Sequence, residues 1–385
     1  MSRIVITGVG ACTCVGDTAP ECLDAFIAGR QGNATLQHLR PSQYGSTIAY
    51  ERAEKGEGDG RRRSSAFLSR ALREAVTMAG PDVHTMSVPV YVGTGLRELR
   101  TAELAALAGD RIAVGDLDFT AAVRDVMPAA EQVLTISNAC AASNYALALA
   151  MDAVRMGAPM AIAAGCDTLT SSMFGLLDRV NPESVEAVQV FDKYRKGVLM
   201  GDGGVALIVE TEDSARAAGR TPLAQVMAVG LSTDAVHETA PDAAGISRAL
   251  HDAYTRAGIG PDAVDAIYVH GTGTGLNDST ESAVLAQAFA DVADKPAISG
   301  IKAMTGHTSG ASGAIGVIAA IHALRTGAIP PTPGTTNPVD EAAGFGLSGA
   351  AQQVETRIAQ VNAFGFGGVN SVVLLSRYEE NRDAA

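Results

Sequence analysis

Short apolar, β-branched runs recur along the chain, and most break into glycine: RIVITGVG from Arg3, VPVYVGTG from Val88, VLTIS from Val133, MAIAAG from Met160 and GVALIVE from Gly204. Between them lie longer stretches with apolar residues at helical spacing, such as SRALREAVTMAG from Ser69 and the segment around Glu21 to Gly29. Apolar runs without polar alternation, separated by helices, predict an α/β fold with a sheet buried on both faces. After the charged stretch ETEDSARAAGR, residues 210–220, a second series follows: LAQVMAVGLS, ISRALHDAYTRAG, VDAIYVHGTG, AISGIKAM and SVVLLSR. Both series read strand, helix, strand with glycine at strand ends. The chain is therefore expected to hold two similar halves, 1–215 and 216–385, divided near residues 212–221, with no repeat identifiable residue by residue.

With 385 residues, 47% of them hydrophobic and 18% charged, the chain can bury a large core, which excludes a disordered protein. No run reaches about 18 uninterrupted apolar residues, so no helical membrane span is expected. The opening residues lack the long apolar core of a secretory signal. Five cysteines (Cys12, Cys14, Cys22, Cys140 and Cys166) at scattered spacings, with no CxxC pair, predict free thiols in a reducing, cytoplasmic compartment and no metal site. A net charge of −13 argues against nucleic acid as a partner, since such binding needs a basic face. TGVGACT begins like a dinucleotide-binding turn but carries Thr13 where the third glycine belongs, so a nucleotide site is not expected.

Four places along this frame hold residues suited to chemistry. VLTIS reads as a strand and AASNYALALAMDAVRM as a helix, which puts Cys140 of NACAAS at the turn between them. Helix N-terminal amides stabilise a thiolate, and such positions lower a cysteine pKa from about 8.5 to between about 3.5 and 7.5. Free cysteines are also among the residues most often packed in cores, so this stretch alone leaves nucleophile and core residue both open. In YVHGTGTGLNDSTES, residues 268–282, a strand delivers His270 into a turn of small residues with hydroxyls at Thr272 and Thr274; a histidine capping a loop would read the same way. In GIKAMTGHTSGASGAIG, residues 300–316, Lys302 and His307 flank a Thr-Gly turn before a small-residue helix, which fits a buried site or tight structural packing. VNAFGFGGVNSVVLL, residues 361–375, reads as a glycine-rich loop around Phe364 and Phe366 before a strand. Its backbone N–H groups suit a developing oxyanion, and a structural turn is the plain alternative. One cysteine, two histidines, a lysine and a donor loop are together what acyl transfer with carbanion formation requires. The remaining histidines, His38, His84, His237, His251 and His322, lack such settings.

NACAAS, FDKYRKGVLMGDGG, HGTGTGLNDSTE, IKAMTGHTSGASGA and NAFGFGGVN stand in the order and approximate spacing of the condensing β-ketoacyl-acyl-carrier-protein synthases of the thiolase superfamily. RIVITGVGACTCVG is similar to their first strand and turn, so the resemblance covers essentially the whole chain. It implies a thiolase-like five-layer αβαβα fold built from two duplicated halves, assembled as a dimer, with no bound cofactor or metal. It also implies a two-step reaction, in which an acyl chain moves to cysteine and is then attacked by the carbanion of a decarboxylating malonyl thioester. On that pattern Cys140 matches the nucleophile, and its own N–H with that of Phe366 forms the oxyanion hole. His270 and His307 match the pair that stabilises the enolate, Lys302 the family lysine, and Glu281 the acidic residue that organises it. Thr272 and Thr274 would contact the phosphopantetheine arm of an acyl-carrier protein, and Phe366 is similar to the gatekeeper of a mobile loop. TGH at Thr305–His307 resembles the elongating, Cys-His-His class, and Cys140 itself separates the chain from chain-length factors, which lack the cysteine.

Carrier proteins are acidic, and Arg62, Arg63 and Arg195 lie at positions resembling the family's docking face, with solvated surface charge as the alternative. The segment between Asp167 and Phe191 is shorter than in typical fatty-acid synthases, which points to a polyketide or other natural-product pathway. Two further readings stay open: an acyltransferase that loads Cys140 without elongation, and an accessory subunit that controls chain length in a heterodimer with a homologous ketosynthase.

Overall fold

The computed structural model describes residues 2–39, 44–52, 60–181 and 183–380. The first series of apolar runs forms β1 (Ile4–Thr13), β2 (Val90–Thr94), β3 (Val133–Ser137), β4 (Met160–Asp167) and β5 (Gly203–Thr211). The second forms β6 (Ala224–Thr233), β7 (Ala266–Tyr268), β8 (Ala297–Ser299), β9 (Ile358–Gly365) and β10 (Val369–Ser376). The helices of the first series include α1 (Arg63–Ala79), α2 (Leu99–Ala108) and α3 (Ala142–Arg155). Those of the second include α4 (Ala243–Ala257), α5 (Gly275–Ala288) and α6 (Ser312–Thr326).

The strands follow one plan twice. The first half runs β1-β5-β4-β2-β3 across its sheet and the second runs β6-β10-β9-β7-β8. In each, the outer three strands are parallel, β2 lying beside β3 and β4 as β7 lies beside β8 and β9. In each, the last strand of the half is antiparallel to both its neighbours. The two halves join into one hydrogen-bonded sheet where Val5 and Ile6 pair with Gln225 and Ala224, and a short strand, Gly346–Leu347, extends it beyond β8. The link between halves is a short helix, Glu212–Ala217, whose N-cap Thr211 accepts the Ser214 N–H.

Burial on both faces explains the unbroken apolar runs. Along β4, Ala161 and Ala163 point into the core shared by the halves, while Ile162, Ala164 and Cys166 point to the outer core. Along β10, Val373 and Leu375 point inward and Val372 and Leu374 outward. Helices α3 and α6 fill the space between the sheets, α1 covers the first sheet, and α4 and α5 cover the second. The result is the expected α-β-α-β-α layering. Each fully buried Val, Leu or Ile contributes about 1.5–3 kcal/mol. Because α6 lies in the middle layer, it is buried on nearly every side, and its small and aliphatic residues show no polar face.

The reading of residues 361–368 as a loop is corrected. Strand β9 continues through Gly365, and only Phe366–Gly368 separates it from β10. Gln360 and Asn362 are buried polar residues that interrupt the strand's apolar pattern. Among the described residues, no helix is long and apolar enough to cross a membrane.

Candidate active site

Strand β3 ends at Ser137, and one tight turn, Ala139–Ala141, leads into α3. Ala139 adopts a left-handed backbone, φ 49°, of the kind that costs about 1–3 kcal/mol and is tolerated where packing enforces it. Gly365 supplies part of that packing: a Cβ there would lie 3.1 Å from the Ala139 Cβ and 3.2 Å from the Cys140 N. Cys140 is partly buried. Burial pushes the thiol up to about 11, against the lowering effects of the Lys302 charge and of the Phe366 and Cys140 N–H groups aimed at the sulfur. The position before a helix N-terminus therefore does not lower this thiol. Stripping water from a thiolate costs more than these charges and dipoles return.

His270 follows β7 and is 3% exposed. The turn after it is shaped by two carboxylates from the first turns of α5. Glu281 accepts the N–H groups of His270 and Gly271, each at 2.8 Å, and the Asn362 amide at 3.0 Å. Asp278 accepts N–H groups from Thr272 at 2.9 Å, Gly273 at 3.1 Å and Phe191 at 2.8 Å. Glu281 thus positions the His270 backbone. This corrects the expectation that it organises Lys302, on which it acts only through its charge. Thr272 and Thr274 hold their hydroxyls 2.9 Å apart in the same turn.

Lys302 begins a four-residue helix after β8 and is buried. Its ammonium donates to the His270 carbonyl and lies 3.3 Å from His270 Nδ1. Burial brings its pKa down to about 8, opposed by the charges of Cys140, Glu281 and Asp278. His307 sits opposite: its Nε2 is 2.9 Å from Cys140 Sγ, and the rings of His270 and His307 cross edge to face at 5.4 Å. The Ser309 N–H donates to His307 Nδ1 at 3.1 Å, which in the resting site favours the proton on Nε2, facing the sulfur. Lys302 imposes the same tautomer on His270. Burial holds both imidazoles well below the usual histidine value, and the Lys302 charge reinforces it. Two neutral rings therefore stand beside one thiol, and His307 Nε2 contacts it directly. Ligand atoms of Cys140, His270 and His307 lie within 4.8 Å of one another, a spacing that could also hold a metal ion, but the neighbouring Lys302 ammonium opposes a second cation there.

The structure also brings in residues that the sequence did not single out. Asp167, at the end of β4, accepts from Thr94 Oγ1 and the N–H groups of Gly95 and Gly310 at 2.7 Å each, and from Leu96 N–H at 3.0 Å. It ties the first half to the loop carrying His307. No local signal marks it, because its partners come from two distant segments. Asp278 and Asn362 were legible as members of the quoted motifs, and Ser312 touches His307 Nδ1 through its hydroxyl at 2.9 Å.

One of the three arginines expected at a docking face, Arg63, is buried and is corrected to a structural residue. Arg63 is 7% exposed and bonds Asp202, itself fully buried, at 2.9 Å. Arg195 donates to the carbonyls of Thr274, Asp192 and Gly275 and to Ser279 Oγ, bracing the His270 turn. Arg62 is exposed and pairs with Asp116 at 2.8 Å. Phe366 is 46% exposed at the turn beside Cys140.

Comparison with known proteins agrees with this arrangement. Residues 1–215 match the model of the beta-ketoacyl synthase N-terminal domain, and residues 223–336 match that of its C-terminal domain. The 3-oxoacyl-[acyl-carrier-protein] synthase 2 of Coxiella burnetii is 27% identical, over 97% of this chain and 98% of that protein. Nodulation protein E of Rhizobium sp. strain N33 is 28% identical, over 96% and 98%. Among solved structures, the ishigamide ketosynthase/chain length factor superposes with a TM-score of 0.89 at 31% identity, covering 98% of this chain and all of that one. Matched over both segments and end to end by its relatives, the chain belongs to the beta-ketoacyl synthase family.

Proposed function

We propose that this chain is an elongating ketosynthase that joins a Cys140-bound acyl group to a malonyl group, both delivered on the phosphopantetheine of an acyl-carrier protein. In the first step Cys140 Sγ attacks the acyl thioester, the carrier thiol leaves with the cysteine proton, and the N–H groups of Cys140 and Phe366 receive the oxyanion. In the second, the Nε2–H groups of His270 and His307 hydrogen-bond the malonyl thioester oxygen as carbon dioxide leaves. The resulting enolate carbon attacks the Cys140 thioester, forming the new carbon–carbon bond and releasing the sulfur. The observation that carries this reading is a pair of neutral imidazoles gathered with one cysteine within 4.8 Å, with His307 Nε2 2.9 Å from its sulfur. A hydrolase would need one such ring.

Thr272 and Thr274 suit the pantetheine arm, Phe366 the gate, and Arg62 and the partly exposed Arg195 the docking face. Assembly with a second copy or a homologous ketosynthase or chain-length-factor subunit is supported by β3, an edge strand whose Leu134 is 41% exposed. The free thiols fit the cytoplasm. The short segment after Asp167 favours a natural-product pathway. No bound cofactor enters this mechanism.

Purified protein would be incubated with acyl-carrier protein and then malonyl-carrier protein, following intact masses. Acylation of Cys140 followed by a lengthened β-ketoacyl carrier supports elongation. Acyl transfer without a two-carbon gain would replace it with simple acyl transfer, and no loading over a broad acyl panel would favour an accessory subunit.

A further inference from the structure

His307 is gripped on both sides of its ring. Nε2 faces Cys140 Sγ at 2.9 Å, and Nδ1 faces two groups, the Ser309 N–H at 3.1 Å and Ser312 Oγ at 2.9 Å. The two are not equivalent. A backbone N–H can only donate, so alone it would fix the proton on Nε2. A hydroxyl donates or accepts according to its rotation, and Ser312 Oγ has a second hydroxyl, Thr308 Oγ1, at 3.1 Å to take its proton when it turns. Thr308 is 1% exposed and Ser312, the first residue of α6, is half-buried, so the pair is largely shielded from solvent.

The two half-reactions need opposite things from His307. Decarboxylation needs Nε2–H as a donor to the malonyl thioester oxygen. Loading needs a free Nε2 lone pair to take the Cys140 proton as Sγ attacks the acyl carbon. In that step the Sγ–C bond forms, the carrier S–C bond breaks, and the proton passes from Sγ to Nε2 and on to the departing carrier sulfur. While Nε2 receives it, Nδ1 carries its own proton and must donate. Ser312 Oγ can accept that proton's hydrogen bond, and the Ser309 N–H cannot.

We propose that Ser312 is a positioning residue that gives His307 two usable tautomers, one for each half-reaction, by turning its hydroxyl between His307 Nδ1 and Thr308 Oγ1. The roles assigned to loading and decarboxylation rest on the ketosynthase reading, whereas the effect on the Cys140 thiol does not.

The test uses the full chain and two readouts. In the first, iodoacetamide alkylation at Cys140 is followed by mass spectrometry across pH. Ser312→Ala should move the midpoint up by about one pH unit, the worth of a hydrogen bond to a charged ring. Thr308→Val should move it less in the same direction, and Ser312→Thr, which keeps the hydroxyl, should restore it. In the second, the ratio of acyl loading to malonyl decarboxylation should fall about tenfold in Ser312→Ala. An unchanged alkylation profile in Ser312→Ala, or loading and decarboxylation falling together at constant ratio, would overturn the inference. A shifted alkylation profile in a protein whose wild type makes no lengthened carrier would sustain it and refute the ketosynthase reading instead.

Discussion

The turns that open the two central helices are built alike and used differently. Ala139–Ala141 leads into α3 and Ser309–Ala311 into α6, and each begins with a left-handed residue, φ 49° at Ala139 and 47° at Ser309. The middle residue is Cys140 in the first and Gly310 in the second. Cys140 faces His307 and the Phe366 N–H from the other half. Gly310 gives its N–H to Asp167 at 2.7 Å and packs so closely that a Cβ would lie 2.4 Å from the Thr94 Cα. Each half thus closes over the other's turn, but only the first leaves room for a side chain. The same backbone becomes a nucleophile's seat or a structural joint according to what the opposite half places against it.

Removing the one reactive side chain should break that asymmetry most completely: Cys140→Ala is expected to cut condensation by about a thousandfold or more, with no acylated protein in the intact mass. His307→Ala should lower malonyl decarboxylation by about 10²–10³-fold, the usual cost of one transition-state donor, measured as carbon dioxide release. Continued release at the wild-type rate would remove His307 from the second step.

The joint is tested through Asp167. Burial raises its carboxyl from 3.8 to about 6, opposed by the Gly95, Thr94, Gly310 and Leu96 donors. The folded protein then holds this proton more tightly than the unfolded chain does. Its favourable contribution is complete below about pH 4 and is lost as pH rises through about 6. The span is about 3 kcal/mol, so the stability difference between wild type and Asp167→Asn should shift against wild type by roughly that amount between pH 4 and pH 7 in denaturant titrations. A difference moving toward wild type would mean that the four donors outweigh burial.

Space at the two turns gives a smaller contrast. Gly310→Ala should cost about 1–3 kcal/mol, because backbone atoms of Thr94 would have to move. Gly365→Ala, with its nearest neighbours at 3.1 and 3.2 Å, should cost less stability and instead slow Cys140 loading. Equal losses would erase the distinction between joint and seat. Least affected should be Arg62→Ala: its exposed charge is already paired with Asp116, and such pairs are worth about 0.2–1 kcal/mol. The carrier KM should therefore rise less than about fivefold, and a larger rise would restore a strong electrostatic docking face.

Much of the architecture was legible because it is local. Strand β3 and helix α3 follow from residue pattern alone, and the turn between them had to hold Cys140. Strand β9 was missed because Gln360 accepts the Tyr254 hydroxyl and donates to Asn362, which bonds Glu281. That buried polar chain disguises an internal strand as a loop, and its partners cannot be read from the strand itself. Arg63 was misplaced for a related reason. A charged residue looks like surface until a buried carboxylate such as Asp202 is brought against it.

The sequence by itself determined the α/β class, the doubled series of strands and helices, and the identities of Cys140, His270, Lys302 and His307 as the residues able to do the chemistry. Only the tertiary structure decided what state those residues occupy. Cys140 and His307 meet across 167 positions of sequence. The resting tautomers of the two histidines follow from the Ser309 N–H and the Lys302 ammonium against their Nδ1 atoms, and the thiol's raised pKa is set by the layers that bury it. Hydration and hydrogen-bond partners are properties of the folded surroundings, so no local pattern carries them.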